Sequence, residues 1–241
     1  MSSGPQTNAK TFVLVHGAWH GGWCWIRVAR LLRAQGHEVY TPTLTGLGAR
    51  SHLMRPGIDL ATHIADVVNV IKWEGLEDVV LCGHSYGGFV ISGVAEQVSS
   101  VIASIVFLDS FVPENGDRMV DVTSPASRDA ILASARAGDI AVPPRSAALF
   151  HVNEKDRAWV DAMCTPHPLA TMLDKIALTG ARERVPKKAY IRAARYANPG
   201  FDGSYAKLKS NASWLLYDVP CGHDVMVDMP ERLAEILLEV A

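Results

Sequence analysis

The sequence predicts an α/β fold, a mostly parallel sheet of about six strands flanked by helices, with a helical cap inserted into it. Three observations predict it. Short apolar runs rich in β-branched residues, such as Val79–Cys82 and Val101–Leu108, have the pattern of parallel strands covered on both faces. They alternate with segments of helical periodicity, a rhythm that argues for parallel strands joined by crossover helices. The rhythm lapses between Pro113 and Pro186, where helical patches replace strands, and then resumes.

The elements follow in order. Residues 1–10 are polar and read as a loose tail; Thr11–Val15 is the first strand. Trp23–Ala34 carries Trp23, Val28, Leu31 and Leu32 at helical spacing, and Gly36 is a natural stop. Glu38–Pro42 is a second strand running into the loop Thr43–Gly48. Asp59 is a good N-cap for a helix over Leu60–Trp73, whose Ile64, Val67, Val68 and Ile71 form one apolar face. Val79–Cys82 breaks at Gly83-His84-Ser85-Tyr86-Gly87 into a helix over Phe89–Gln97, and Val101–Leu108 ends at Asp109. Helical patches at Ser127–Ala137, Lys155–Met163 and Leu169–Leu178, with proline-rich joints and no evident apolar strand, make 113–186 the cap; 1–112 and 187–241 make the core. The core resumes with Lys187–Ala194 (strand), a helix containing Tyr205–Ser210, Ser213–Tyr217 (strand) and a helix over Pro230–Val240. Pro230 stands at the first helical position, where its missing N–H costs nothing.

A chain of 241 residues, 49% hydrophobic, suffices for one sizeable core. A net charge of −2 without any basic block argues against nucleic acid or an anionic membrane surface as partner. Cys24, Cys82, Cys164 and Cys221 are scattered, without CxxC or metal-type spacing, so reduced thiols and no metal are expected. The first ten residues lack a signal-peptide apolar core and no apolar run reaches membrane-spanning length, which makes the cytoplasm the expected location. Oligomeric state stays open, a homodimer included.

The chemistry centres on Ser85. In the Gly-x-Ser-x-Gly turn, Gly83 and Gly87 let strand and helix approach closely, and a strained turn holds the serine outward as a candidate nucleophile. A serine hydroxyl needs a base and donors for a developing oxyanion. Of nine histidines, His223, in the loop after the last strand, is placed at the sheet's carboxyl edge, where ligand sites of open α/β folds collect. The backbone N–H groups of Tyr86 and Ala18 are the oxyanion candidates. His16 and His84 read as braces for their turns; His20, His52 and His167 read as solvated or packing residues.

Val13-Leu-Val-His-Gly-Ala-Trp-His-Gly-Gly-Trp-Cys-Trp25, Leu44-Thr-Gly-Leu-Gly48, Gly83-His-Ser-Tyr-Gly-Gly88 and Gly222-His-Asp224 together resemble an α/β-hydrolase. Within that fold the chain resembles the plant methyl-ester esterase and hydroxynitrile-lyase group and its bacterial esterase relatives, over nearly all of the chain outside the cap. The resemblance implies Ser85 as nucleophile, His223 as general base in the Ser…His order of the fold, and the Ala18 and Tyr86 amides as oxyanion donors. It implies a cofactor-independent serine hydrolase, a carboxylesterase forming an acyl-enzyme on small apolar or aromatic esters.

One part departs from the plant pattern. Those enzymes carry the triad acid just after the strand that follows the cap, where this chain has Tyr196 and no carboxylate. Asp109, at the end of the strand after the nucleophile strand, and Asp202, beyond Pro199-Gly200, are the replacements; a Ser-His dyad is the third option. Asp109 is chosen because a strand end fixes a carboxylate better than a loop; Asp224 reads as holding its own loop. The lyases of the group have a threonine where this chain has Gly17 and a lysine where it has Asp224, so hydrolysis is preferred. The same machinery acting on a carbamate, amide or lactone is the alternative, and a receptor-like binder lies further off. Phe111, Phe150 and Trp159, with Met163 and Met172, are expected to line the substrate pocket, though each alone also fits ordinary core packing.

Overall fold

The computed structural model describes residues 9–241, so the tail expected over 1–10 lies mostly outside the described residues. In chain order the strands are β1 (Thr11–Val15), β2 (Glu38–Tyr40), β3 (Val79–His84), β4 (Ile102–Leu108), β5 (Ala141–Val142), β6 (His167–Pro168), β7 (Lys187–Ala193) and β8 (Trp214–Val219). Six of them form one sheet in the order β2-β1-β3-β4-β7-β8, and every pairing in it is parallel. The chain runs outward from β1 in both directions, so the carboxyl ends of β1, β3 and β4 meet at the crevice where such sheets bind ligands.

The helices are α1 (Ile26–Ala34), α2 (Leu60–Trp73), α3 (Gly87–Val98), α4 (Met119–Val122), α5 (Pro125–Ala137), α6 (Glu154–Met163), α7 (Ala170–Leu173), α8 (Pro199–Leu208), α9 (Val225–Asp228) and α10 (Pro230–Glu239). α2 begins where its N-cap dictates: Thr62 N donates to Asp59 Oδ1 at 2.7 Å in a capping box. β3 is buried at all six positions, as a strand between two helical layers must be. No helix among the described residues is long and apolar enough to cross a membrane.

Three local expectations are corrected. The region from Trp23 opens as a 3₁₀ turn (Gly22–Trp25) before α1. The helix expected over Leu169–Leu178 stops at Leu173, because Asp174 turns extended and accepts the first amide of α2, Leu60 N, at 3.1 Å. The segment 113–186 also holds a two-residue ribbon, β5 antiparallel to β6, too short to show as an apolar run. Trp19 Nε1 donates to Val142 O at 3.0 Å and Thr165 N to Trp19 O at 2.9 Å, tying that ribbon to the loop after β1.

Candidate active site

β3 delivers Ser85 at the sheet's carboxyl edge with φ 54°, in the left-handed region that side chains rarely occupy. The turn closes because positions 83 and 87 lack a Cβ: one built on Gly83 would lie 2.6 Å from Gly87 O, and one on Gly87 2.9 Å from Val15 O. Ser85 N donates to Leu108 O at 3.2 Å, and Ser85 O accepts from Ser110 Oγ at 2.8 Å, so the strained residue is held from β4. Of the five non-glycine residues with positive φ among those described, three belong to this site: Trp19 at 65°, Ser85 at 54° and Asp109 at 41°. Strain gathered in this way marks positions that the surrounding structure over-determines.

His223 comes from the loop between β8 and α9. Its Nδ1 donates to Asp109 Oδ2 at 2.6 Å, leaving Nε2 as the outward nitrogen. The ring is stacked on Phe201 (centroids 5.2 Å apart, 16° between planes) and packs on Tyr196 at 4.7 Å and Phe150 at 5.5 Å. Its backbone is fixed as well: His223 N donates to Phe150 O at 2.9 Å, and His223 O accepts from His84 Nε2 at 3.1 Å. Ser85 and His223 both face one cavity of about 270 Å³. Among the described residues no hydrogen bond joins Ser85 Oγ to His223; such contacts commonly tighten only once substrate is bound.

Asp109 is fully buried and directly follows β4. Besides His223 it accepts from Ala193 N at 3.0 Å and from the guanidinium of Arg192. Among the described residues Asp202 makes no hydrogen bond to the imidazole; its Oδ1 takes Arg192 Nη2 at 2.7 Å. Burial works against the charge on Arg192, but Asp109 and Asp202 outweigh it and hold the guanidinium firmly protonated. The same guanidinium donates to Tyr196 O and Ala193 O, so one side chain fixes both the carboxylate and the loop after β7. Sequence reasoning missed Arg192. The available signal was a charge inside Tyr190-Ile191-Arg192-Ala193, a strand buried on both faces, where a cation requires a partner.

Ala18 and Tyr86 are both buried, and neither backbone N–H donates a hydrogen bond within the described residues. The Tyr86 side chain points away from the turn, its hydroxyl meeting His63 Nδ1 at 3.0 Å. His16 braces the loop after β1, donating from Nδ1 to Gly17 O at 2.8 Å and accepting Leu44 N at Nε2 at 3.0 Å.

A second charged cluster lies beneath the site. His20 directs both ring nitrogens at oxygens, Nδ1 at Ala18 O (2.8 Å) and Nε2 at Asp224 Oδ2 (3.0 Å), which only an imidazolium can satisfy. Burial opposes that charge, yet Asp224 raises the His20 pKa above its ordinary value. Asp224 is in turn held well below the carboxylate range, burial being overcome by His20. His20 is thus neither solvated nor simple packing: it ties the loop carrying His223 to the loop carrying Ala18. His167, by contrast, is a buried packing residue, bonded to Thr171 Oγ1 at 2.8 Å.

The cavity is walled by Trp19, Phe111, Phe150 and Phe201 and by Ser127, Ala130, Ile131 and Ser134, which share one face of α5. Phe111 and Phe150 therefore stand where they were expected. Trp159 does not: it packs edge-on against Trp23 at 5.1 Å, with the Arg27 guanidinium over its ring, outside the cavity. The reason is that α6 is drawn to the core by the Arg27–Asp156 ion pair (2.5 Å), which turns Trp159 toward the core and away from the ligand space. Met172 is buried away from the cavity, and Met163 is exposed. Cys221 lines no part of the cavity, and burial pushes its thiol up to about 12, which keeps it unreactive.

The model of the alpha/beta hydrolase family matches residues 12–236. A carbendazim hydrolyzing esterase of Nocardioides sp. (strain SG-4G) is 45% identical over 240 residues, covering 94% of this chain and 97% of that one. Methylesterase 7 of Arabidopsis thaliana is 35% identical over 111 residues, 45% of this chain and 43% of that one. Among solved structures, an extracellular alpha/beta-hydrolase from a Paenibacillus species superposes with a TM-score of 0.84 at 26% identity, covering 96% of this chain and 99% of that one.

Proposed function

The chain belongs to the alpha/beta hydrolase family and is an esterase of that fold, and we propose that it hydrolyses small apolar or aromatic esters through an acyl-serine formed on Ser85. In this reading Ser85 Oγ attacks the ester carbonyl while His223 Nε2 takes its proton. Asp109, hydrogen-bonded to His223 Nδ1, holds the tautomer that leaves Nε2 free and stabilises the imidazolium that forms. The Ala18 and Tyr86 amides receive the oxyanion. His223 then gives the proton to the departing alkoxide, and the acyl-serine is cleaved by water that His223 deprotonates.

The observation that carries this is the 2.6 Å contact between His223 and Asp109 beside a cavity that both Ser85 and His223 line. The apolar, aromatic cavity walls support the substrate class. Gly17 supports hydrolysis over cyanohydrin cleavage: a Cβ there would lie 2.9 Å from Ser85 Cβ, so this backbone has no room for the threonine of the lyases. A carbamate, amide or lactone suits the same machinery, and the Nocardioides relative makes carbendazim itself a compound to assay. All four thiols are free, which supports a reducing compartment, although the Paenibacillus relative is described as extracellular.

The test is a panel of aryl and methyl esters with carbendazim, run on wild type and Ser85→Ala. Loss of at least about 10³-fold in kcat is expected for the variant on every substrate that wild type turns over. A variant that keeps most of its rate overturns the proposal.

A further inference from the structure

The cap wall of the cavity carries one cation. Arg145 follows β5 and the rigid pair Pro143-Pro144, is partly buried as a residue, and lines the ligand space. The ribbon before it is fixed by Trp19 Nε1 on Val142 O (3.0 Å) and by Leu169 N on Ile140 O (3.0 Å), so the base of this side chain is held in place. Nη1 donates to Ser127 Oγ at 2.7 Å, its single hydrogen bond among the described residues. Arg27, Arg182 and Arg192 are also partly or fully buried, and each meets a carboxylate; Arg157, likewise partly buried, gives its Nε to Val152 O instead, outside the cavity. Arg145 has none within 4.0 Å among the described residues. A guanidinium facing a cavity with one of its five N–H donors engaged has donors left for an acceptor that enters that cavity. Its flat fork of donors matches a planar two-oxygen acceptor, above all a carboxylate. Ser85 and His223 sit on the core side of the same cavity, whereas Arg145 and Ser127 sit on the cap side.

We propose that Arg145, braced by Ser127, forms an acceptor subsite that selects esters carrying a carboxylate at the end remote from the scissile carbonyl. This rests on the esterase reading above and adds a substrate class to it: half-esters of aromatic or short aliphatic diacids. The carboxylate takes no part in bond breaking. It anchors the molecule at the cap while the ester end reaches Ser85, so the contact contributes to binding in ground and transition states alike and appears mainly in KM.

The experiment compares monomethyl terephthalate with methyl 4-isopropylbenzoate, two esters of similar shape of which only the first carries the acceptor. The ratio of their kcat/KM values is measured in wild type, Arg145→Met and Arg145→Lys. A charge-assisted hydrogen bond predicts that the ratio falls roughly ten- to a hundredfold in Arg145→Met, through KM, with partial recovery in Arg145→Lys. A ratio that moves less than threefold overturns the subsite. Arg145→Gln serves where the Met variant does not fold. Calorimetric titration of monomethyl terephthalate into Ser85→Ala and Ser85→Ala/Arg145→Met reads the subsite without turnover. If wild type hydrolyses neither of these esters nor any member of the panel above, the esterase reading fails, and that titration still decides the subsite: binding weakened by loss of Arg145 supports it, and equal binding overturns it.

Discussion

Replacing Asp109 with asparagine separates what the carboxylate does for the imidazole from what it does for the fold. Asp109 accepts from His223 Nδ1 at 2.6 Å, from Ala193 N at 3.0 Å and from Arg192. Asparagine keeps the shape, but its oxygen is drawn to Ala193 N and Arg192, which leaves its NH₂ facing His223 Nδ1. That nitrogen must then accept, the ring proton moves to Nε2, and Nε2 no longer takes a proton from Ser85. The expected fall in kcat is about 10³–10⁴-fold, or about 4–5.5 kcal/mol of transition-state stabilisation. Stability falls too, because Arg192 keeps its charge in a buried place, loses its buried anion and is left with the half-exposed Asp202; the cost is bounded by the about 3–5 kcal/mol of an uncompensated buried charge. The double variant Asp109→Asn/Arg192→Met removes both charges, so it is expected to regain part of that stability and none of the rate. The assays are aryl-ester hydrolysis under saturating substrate and urea unfolding followed by circular dichroism. An Asp109→Asn rate within tenfold of wild type would refute the triad in favour of a dyad. A double variant no more stable than the single one would refute the coupling to Arg192.

Three further outcomes follow from the same structure. Gly83→Ala puts a methyl 2.6 Å from Gly87 O at the foot of the elbow; a loss of about 1–3 kcal/mol in urea unfolding is expected, and an unchanged midpoint would contradict the packing described. Burial depresses the pKa of His16 to about 3 and of His63 to about 4, and lowers those of His84 and His167, whereas the unfolded chain protonates all four near 6.5. The unfolded state therefore binds more protons below pH 6.5, and stability must fall with falling pH, by up to ~1.4 kcal/mol per pH unit for each ring. His20 has the opposite sign, its contribution being present below 6.5 and lost as pH rises through its raised value. A urea midpoint that does not drop between pH 7 and pH 5 would contradict this. Trp159→Ala is expected to cost about 1–3 kcal/mol by losing its packing on Trp23 and Arg27, while KM for aryl esters stays within twofold; a large KM change would restore Trp159 to the pocket.

How far the site was legible depended on whether each residue's role is local. Ser85 and the Tyr86 amide are set by a five-residue turn whose glycines have a steric reason visible in sequence. His223 followed from its place after the last strand. Asp109 was readable because a strand end fixes a side chain, and its partner across the sheet emerged only with the β4–β7 pairing, which brings Ala193 and Arg192 beside it. Trp159 failed because an amphipathic cap helix has two apolar destinations, the ligand space and the core. An ion pair on the same face as Trp159, Arg27–Asp156, decides between them, and such a tertiary contact leaves no periodicity. The face of α5 that lines the cavity, Ser127, Ala130, Ile131 and Ser134, is too small and polar to stand out by hydropathy. Its role as a wall comes from the space it leaves.

The most direct measurement is intact-mass analysis after brief exposure to an alkyl fluorophosphonate, followed by peptide mapping. One adduct per chain on Ser85 is expected, slowed by orders of magnitude in His223→Ala. Labelling at a different residue, or labelling of Ser85 indifferent to loss of the imidazole, would contradict a nucleophile at Ser85 activated by His223.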